Sequence, residues 1–340
     1  MTKSPRRTRP VLHPAVLKDP SRLHGVYLLE GEDEYRKLDA LHGVRKLALG
    51  EDFPDLNHSI LHNPSTDDVI AACETLPFLA ERRLVEVWDF APLQKKKTKE
   101  AAAKGDDAAR LKSYLPQIPG STLLIFFQRG TGQKLSAVYK LLEAQGAVIL
   151  FNPLQGEELT GWITGECSAQ GVSCSLKTAE MLAFTAGSDT GILHGEICKL
   201  AAYLGGRNPL TKEDISAVTT PSTEAQVFHM VDAVVEGQRQ RALQIMGGLL
   251  LSGERRSMIL TLLLRQYRLM QHLKIMIYEK QPPEEIRSRL GLPDFLLRRL
   301  QQQAGRLSGG RVKAGVNACL DAEYGFKSGR ISEESALESV

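Results

Sequence analysis

Short, largely apolar runs alternate with helix-patterned stretches in the first 151 residues, and this constrains the chain more than any other feature. The runs are GVYLL (25–29), RLVEVWDF (83–90), TLLIFF (122–127) and AVILF (147–151), with a weaker LNHSILH (56–62) as a fifth. Between them, 34–48, 66–76, 100–115 and 133–145 carry the spacing of helices. Strands that are apolar throughout need cover on both faces, and intervening helices allow them to run parallel. A doubly wound, mainly parallel sheet is therefore expected, with its ligand side at the carboxyl ends of the strands. After Phe151 the strand signals fade. FNPLQGEEL reads as a linker, and 157–217 reads as short helices punctuated by Gly171, Gly187, Gly205, Gly206 and Pro209. TTPSTE (219–224) makes a second break before a helical last third. The organisation expected is a partly disordered lead-in (1–24), an α/β domain (25–152), a small helical domain (153–219) and an all-α C-terminal domain (220–340).

In that last domain, 256–278 places Ile259, Leu263, Tyr267, Met270, Leu273 and Ile277 along one helical stripe. Leu260, Leu264, Leu269 and Ile275 cover much of the remaining circumference. A helix apolar nearly all round is either a central helix or one packed against other subunits.

Composition narrows function by exclusion. A chain of 340 residues exceeds one comfortable core, in keeping with several domains. A net charge of +3 over that length is too weak to argue for nucleic acid by itself. No apolar run is long enough to span a membrane. The basic N-terminus, MTKSPRRTRPVLHP, lacks the apolar core of a signal peptide. The five cysteines are scattered without a C-x-x-C pair. The expectation is a reduced, cytoplasmic protein with no structural metal and no cofactor.

LLEGEDEYRKL (28–38) resembles the start of a phosphate-binding loop, G-x-x-x-x-G-K-[ST], between a strand and a helix. Gly31 and Lys37 are in frame, but Arg36 replaces the second glycine and Leu38 the hydroxyl that would hold Mg²⁺. Glu30, Glu32, Asp33 and Glu34 surround the place of a polyphosphate. Each like-charge pair about 4 Å apart costs roughly 4 kcal/mol at an effective dielectric of about 20. The same acids suit the first turn of a helix. The partner motif is also incomplete, because LVEVWDF supplies Asp89 and then Phe90 where a second acid is needed. The layout is that of an ATPase, with neither half of its chemistry.

NPSTDDVIAACETLPFLAERRLVEV (63–87) reads as a capped helix followed by an apolar tip. Ser65 or Thr66 can cap it, with Asp67 and Asp68 in the first turn, and Val69, Cys73 and Leu76 form a stripe facing the sheet. Pro77 ends the helix and leaves Phe78 and Leu79 at its tip, before Glu81, Arg82 and Arg83. Two readings stand: a wedge that enters a protein partner, with Arg82 and Arg83 facing that partner's carboxylates or solvent, or a staple folded back on the core.

Several stretches together, from Gly25 to Glu338, resemble a known family. These are GVYLLEGEDEYR, TLPFLAERRLVEV, AGSDTGILHGEICKLAAYLGG around Glu196 and Lys199, VFHMVDAVVEGQRQRAL, LLLRQYRLM and FKSGRISEESALE. They are similar to the delta subunits of bacterial DNA polymerase III, clamp-loader proteins with the AAA+ fold. The resemblance implies an AAA+ or RecA-like sheet with a degenerate phosphate loop, a lid domain over 153–219 and a collar for oligomerisation over 220–340. It implies a replication role within the polymerase holoenzyme, with no catalytic site of its own. The implied partners are the sliding clamp (beta), the ATPase subunits (gamma/tau), delta-prime and primer–template DNA. It also makes Phe78 and Leu79 the pair that opens the clamp ring, supported by Leu76 and Pro77, which favours the wedge over the staple.

Two further stretches could touch DNA. QKKKTKEAAAKGDDAARLK (94–112) reads first as a solvated loop and helix face, and second as a phosphate contact. Tyr324, with Lys327 and Arg330 nearby, reads first as a helix-packing tyrosine and second as a base-stacking one. Two rival functions predict different behaviour. A working P-loop NTPase with an atypical loop would bind nucleotide through Lys37. A nucleic-acid-binding helical scaffold would bind nucleic acid alone and be indifferent to Phe78 and Leu79.

Overall fold

Five parallel strands in the order β2–β3–β4–β1–β5 make the sheet of the N-terminal part: β1 (Gly25–Glu30), β2 (His58–His62), β3 (Arg83–Trp88), β4 (Thr122–Phe127) and β5 (Val148–Leu150). The connecting helices are α1 (Glu34–Leu49), α2 (Thr66–Glu74), α3 (Asp106–Tyr114) and α4 (Ala137–Ala144). This computed structural model describes residues 13–19, 23–49, 53–94 and 106–340. They belong to two compact units, Met1–Leu154 and Gln155–Val340. The weak run at 56–62 is a genuine edge strand, and most of the lysine-rich stretch read at 94–112 lies outside the described residues.

Side-chain alternation along β4 explains why both faces are closed. Leu124 and Phe126 point into one core with Val69 and Cys73 of α2, Leu111 of α3, and Val138 and Leu142 of α4. Leu123, Ile125 and Phe127 point into the other, with Leu41, Val44 and Ala48 of α1. A slip of one residue in register would exchange these two sets, so the fully apolar strand is held by its paired register, Leu28 opposite Phe126 and Trp88 opposite Phe127. The segment expected as lead-in contributes a short 3₁₀ helix, Pro14–Lys18, whose Leu17 is buried beside α1.

A carboxylate is buried in the middle of this sheet. Glu86, in the middle of β3, is fully buried and faces α1. Arg45 of α1 donates to it through Nε and Nη2, both at 2.6 Å, Trp88 donates through Nε1 at 3.1 Å, and His58 Nε2 lies 2.8 Å away. Burial by itself raises a carboxyl pKa, but here the bonds from Arg45 and His58 outweigh it and hold Glu86 down at about 2. The network fastens α1, β2 and β3 together.

The second unit is helical throughout its described elements. It begins with α5 (Gly156–Ala169), α6 (Leu176–Ala186), α7 (Thr190–Leu204) and α8 (Lys212–Val218). These are followed by α9 (Thr223–Val235), α10 (Arg239–Leu251), α11 (Arg256–Tyr278), α12 (Pro283–Leu290), α13 (Asp294–Arg306), α14 (Gly309–Lys327) and α15 (Glu333–Glu338). Between the two readings of 256–278, the central helix is the one observed: α11 packs on α9, α13, α14 and α15. Its last turn departs from that pattern, because Ile275, Ile277 and Tyr278 are exposed.

Candidate functional site

The corner after β1 is closed by the chain's own groups. Gly31 has φ +123°, and a Cβ there would lie 2.2 Å from the Phe151 carbonyl oxygen, so only glycine fits. Its N–H donates to the Gly130 carbonyl at 2.9 Å, and the Asp33 N–H donates to the Phe151 carbonyl at 3.0 Å. Asp33 caps α1 by accepting the Arg36 N–H at 3.0 Å, and the Arg36 guanidinium reaches Asp33 and the Asn152 carbonyl, both at 3.3 Å.

Lys37, the residue a phosphate would need, is fully buried. Its ammonium donates to the Gln128 carbonyl at 2.7 Å and to Glu34 Oε1 at 2.8 Å. Burial pulls its pKa below the ordinary lysine value, while the bond and charge of Glu34 pull it back up. Glu34 Oε1 also accepts the Gly130 N–H at 2.7 Å. Glu30 turns inward, accepting from the Tyr139 hydroxyl at 2.5 Å and the Gly132 N–H at 2.7 Å. The sequence pattern suggested acids repelling a polyphosphate. The geometry shows instead that amide donors and the lysine of this corner are already bonded within the protein. Leu38 is exposed, and at the end of β3 Asp89 sits 3.7 Å from Arg129 while Phe90 is core, tilted against Phe126. Among the described residues no cluster of His, Cys, Asp or Glu is arranged to hold a metal ion.

The other candidate lies past α2. Ser65 caps this helix in a reciprocal box with Asp68, and the Thr122 hydroxyl ties the Cys73 carbonyl to the start of β4 at 2.9 Å. The helix stops at Glu74, so Leu76 does not continue the stripe of Val69 and Cys73 onto the sheet as the spacing suggested. Pro77 disfavours helical backbone at the residue before it, and Leu76 stands 75% exposed. Leu79 is 73% exposed and holds φ +48°, a left-handed conformation rare for a bulky residue. Phe78 is 50% exposed, its ring meeting Phe53 edge-on at 5.8 Å between centroids. The staple onto the core is not what forms. A cluster of large apolar side chains stands in solvent instead.

Arg82 and Arg83, read from sequence as facing a partner or solvent, turn inward. Arg82 donates to the Leu23 carbonyl at 2.7 Å. Arg83 is buried and donates to the Leu56 carbonyl at 3.1 Å and the Ser59 hydroxyl at 2.6 Å. Pattern reading overlooked Phe53 and Asn57, which flank the tip. They precede a weak edge strand, and only the fold brings them to residues 76–79.

In the helical unit Lys199 pairs with Glu196 at 2.7 Å. Tyr324 does not pack between helices as its default reading had it. It is 60% exposed, with the Arg330 guanidinium 5.1 Å over its ring, while Lys327 is bonded to Glu323 at 2.5 Å. Arg110 of α3 pairs with Asp67 of α2. No helix among the described residues is long and apolar enough to cross a membrane.

Comparisons with known proteins bear on both units. The family described as "DNA polymerase III, delta subunit" matches residues 27–152, and "DNA polymerase III delta subunit, C-terminal domain" matches 224–340, together more than half of the chain. The DNA polymerase III subunit delta of Bacillus subtilis (strain 168) is 26% identical over 321 residues, covering 93% of this chain and 91% of that protein. Among solved structures, the Bacillus subtilis DNA clamp loader delta protein is similar with a TM-score of 0.54 at 23% identity, covering 95% of each chain. That structural likeness is one of fold.

Proposed function

The chain belongs to the DNA polymerase III delta-subunit family and has its AAA+ type of fold, and on that premise we propose that it binds the ring-shaped sliding clamp and opens it. Phe78 and Leu79 enter the clamp, with Leu76 beside them and Pro77 setting the turn. The observation that carries this reading is the tip itself: large apolar side chains held in solvent at the end of a capped and anchored helix, one of them in a strained backbone conformation. Burying a Phe and a Leu contributes roughly 1.5–3 kcal/mol each. If the pocket they enter is fully available only in the opened ring, that binding energy favours opening.

In this reading the energy of ATP comes from partner subunits. The internal bonding of Lys37, Glu34 and the Gly31 turn supports a nucleotide corner kept for its architecture and not for phosphate, and it argues against a working NTPase. The partners are the sliding clamp, the gamma/tau ATPase subunits and delta-prime, acting on primer–template DNA during replication. Residues 153–219 serve as the lid and 220–340 as the collar that joins those subunits. Tyr324, exposed under Arg330, is the place such a chain offers to DNA within the complex.

The test is a binding measurement with purified sliding clamp. Wild type binds, and Phe78→Ala/Leu79→Ala weakens the Kd by about 100-fold or more while leaving thermal unfolding unchanged, since both side chains are exposed. Absence of wild-type binding, or equal binding by the double variant, would overturn the assignment.

A further inference from the structure

The backbone of the tip is not free to choose its shape, and the residue that fixes it lies outside it. Asn57, just before β2, is fully buried. Its Oδ1 accepts the Phe78 N–H at 2.6 Å, and its Nδ2 donates to the Phe78 carbonyl at 2.9 Å and the Phe53 carbonyl at 3.2 Å. One amide side chain therefore saturates both backbone polar groups of Phe78 and binds them to the segment Phe53–Asn57. The bulky residues on either side of this clasp, Phe53 at φ +50° and Leu79 at φ +48°, both hold left-handed conformations, which are disfavoured for residues with a Cβ. Such conformations persist where surrounding structure over-determines them.

The base beneath Asn57 is rigid for reasons already visible. Arg83 holds the Leu56 carbonyl and the Ser59 hydroxyl, and His58 is held by Glu86 inside the sheet. The Phe53 ring backs the Phe78 ring edge-on, so backbone and side chain of the tip are both set from the same segment.

We infer that Asn57 is a positioning residue for clamp docking. It holds Phe78 and Leu79 in the geometry that enters the clamp, with Phe53 as the backstop of the Phe78 ring. This rests on the docking reading above and adds to it a residue that never touches the partner through its own side chain. A loop ordered before binding avoids the entropy of ordering during it, which is where Asn57 contributes affinity. A turn amide with a purely structural role would alter stability alone.

The experiment measures clamp affinity for the full chain by titration, at a temperature well below unfolding. Asn57→Ala is expected to weaken the Kd about tenfold or more while the chain remains folded, and to expose the Phe78 amide to fast hydrogen exchange. Asn57→Asp, which turns a buried carboxylate oxygen onto the Phe53 and Phe78 carbonyls, should weaken binding at least as much as Asn57→Ala. The Asn57→Ala loss should shrink when Leu79→Ala is already present, because Asn57 acts through the tip. If Asn57→Ala does not yield folded protein, Phe53→Ala decides. Its side chain is exposed, and it should weaken binding by about threefold or more with unchanged melting. Folded Asn57→Ala that binds like wild type, or a loss that adds in full to Leu79→Ala, overturns the positioning role, as does an unaffected Phe53→Ala in the fallback. Wild type failing to bind clamp removes the docking reading and this inference with it. Wild type binding beside unaffected variants removes the inference alone.

Discussion

Arg36 and Leu38 already mark the phosphate loop as broken, since a missing glycine and a missing hydroxyl are visible without coordinates. That Lys37 is buried and bonded to the Gln128 carbonyl is not visible, because that partner lies on a distant part of the chain. Glu86 was equally silent: one acid within an apolar run names no partner, yet it is the hub of a buried network. Its effect on stability has a definite sign. Its folded pKa of about 2 lies below the ordinary 4.5, so the folded state favours the ionised form. The stabilisation is fully present above about pH 4.5 and is lost as pH falls toward 2, with an order of magnitude of about 3 kcal/mol. Urea unfolding followed by a probe in the α/β unit should therefore show stability falling steeply between about pH 4.5 and 2. Glu86→Gln should be less stable at neutral pH and flatter across that acid range. An acid profile identical in the two proteins would show that Glu86 is not the titrating group.

At the element scale, periodicity located the five strands, the helices between them and α11, and its misses have local causes. α11 was legible end to end because its apolar residues are dense. α2 was read two residues too long, to Leu76, because Leu76 keeps the spacing of the stripe although Pro77 withdraws helical backbone from it. Close helix approach is the feature that spacing cannot report. On α14, a Cβ at Gly315 would stand 2.6, 2.7 and 2.9 Å from three ring atoms of Tyr267 on α11. Alanine gains about 1 kcal/mol of helix propensity over glycine, but overpacking costs about 1–3 kcal/mol, and the Tyr267 ring, partly buried against the core, would have to move. Gly315→Ala is accordingly expected to lower the melting temperature by several degrees. Gly161→Ala, in open space on α5, should raise it slightly. Calorimetry of the two variants checks the pair, and a stabilised Gly315→Ala would mean that the contact yields.

For the whole molecule, fold class was legible because composition changes along the chain: strands stop after Phe151, and the contact boundary falls at Leu154 and Gln155. The candidate site was legible only in part. Phe78 and Leu79 are conspicuous beside a proline, whereas Asn57 and Phe53 reach them only through the β2–β3 pairing. Among the described residues, the contacts that shape the tip and its base come from Asn57, Phe53 and Arg83, with Thr122 of β4 holding the last turn of α2, all in the first unit. The apolar cores divide in the same way, two wholly inside the first unit and one wholly inside the second. Clamp docking and the joining of other subunits should therefore separate physically. A fragment comprising residues 1–154 is expected to fold cooperatively and to bind sliding clamp within about threefold of the full chain. The same fragment carrying Phe78→Ala/Leu79→Ala should lose that binding. The complementary fragment, 155–340, should bind no clamp and retain association with the other loader subunits. Circular dichroism melts establish folding, and titration with clamp establishes the affinity. A folded 1–154 fragment with no affinity for clamp would place part of the docking surface in the second unit.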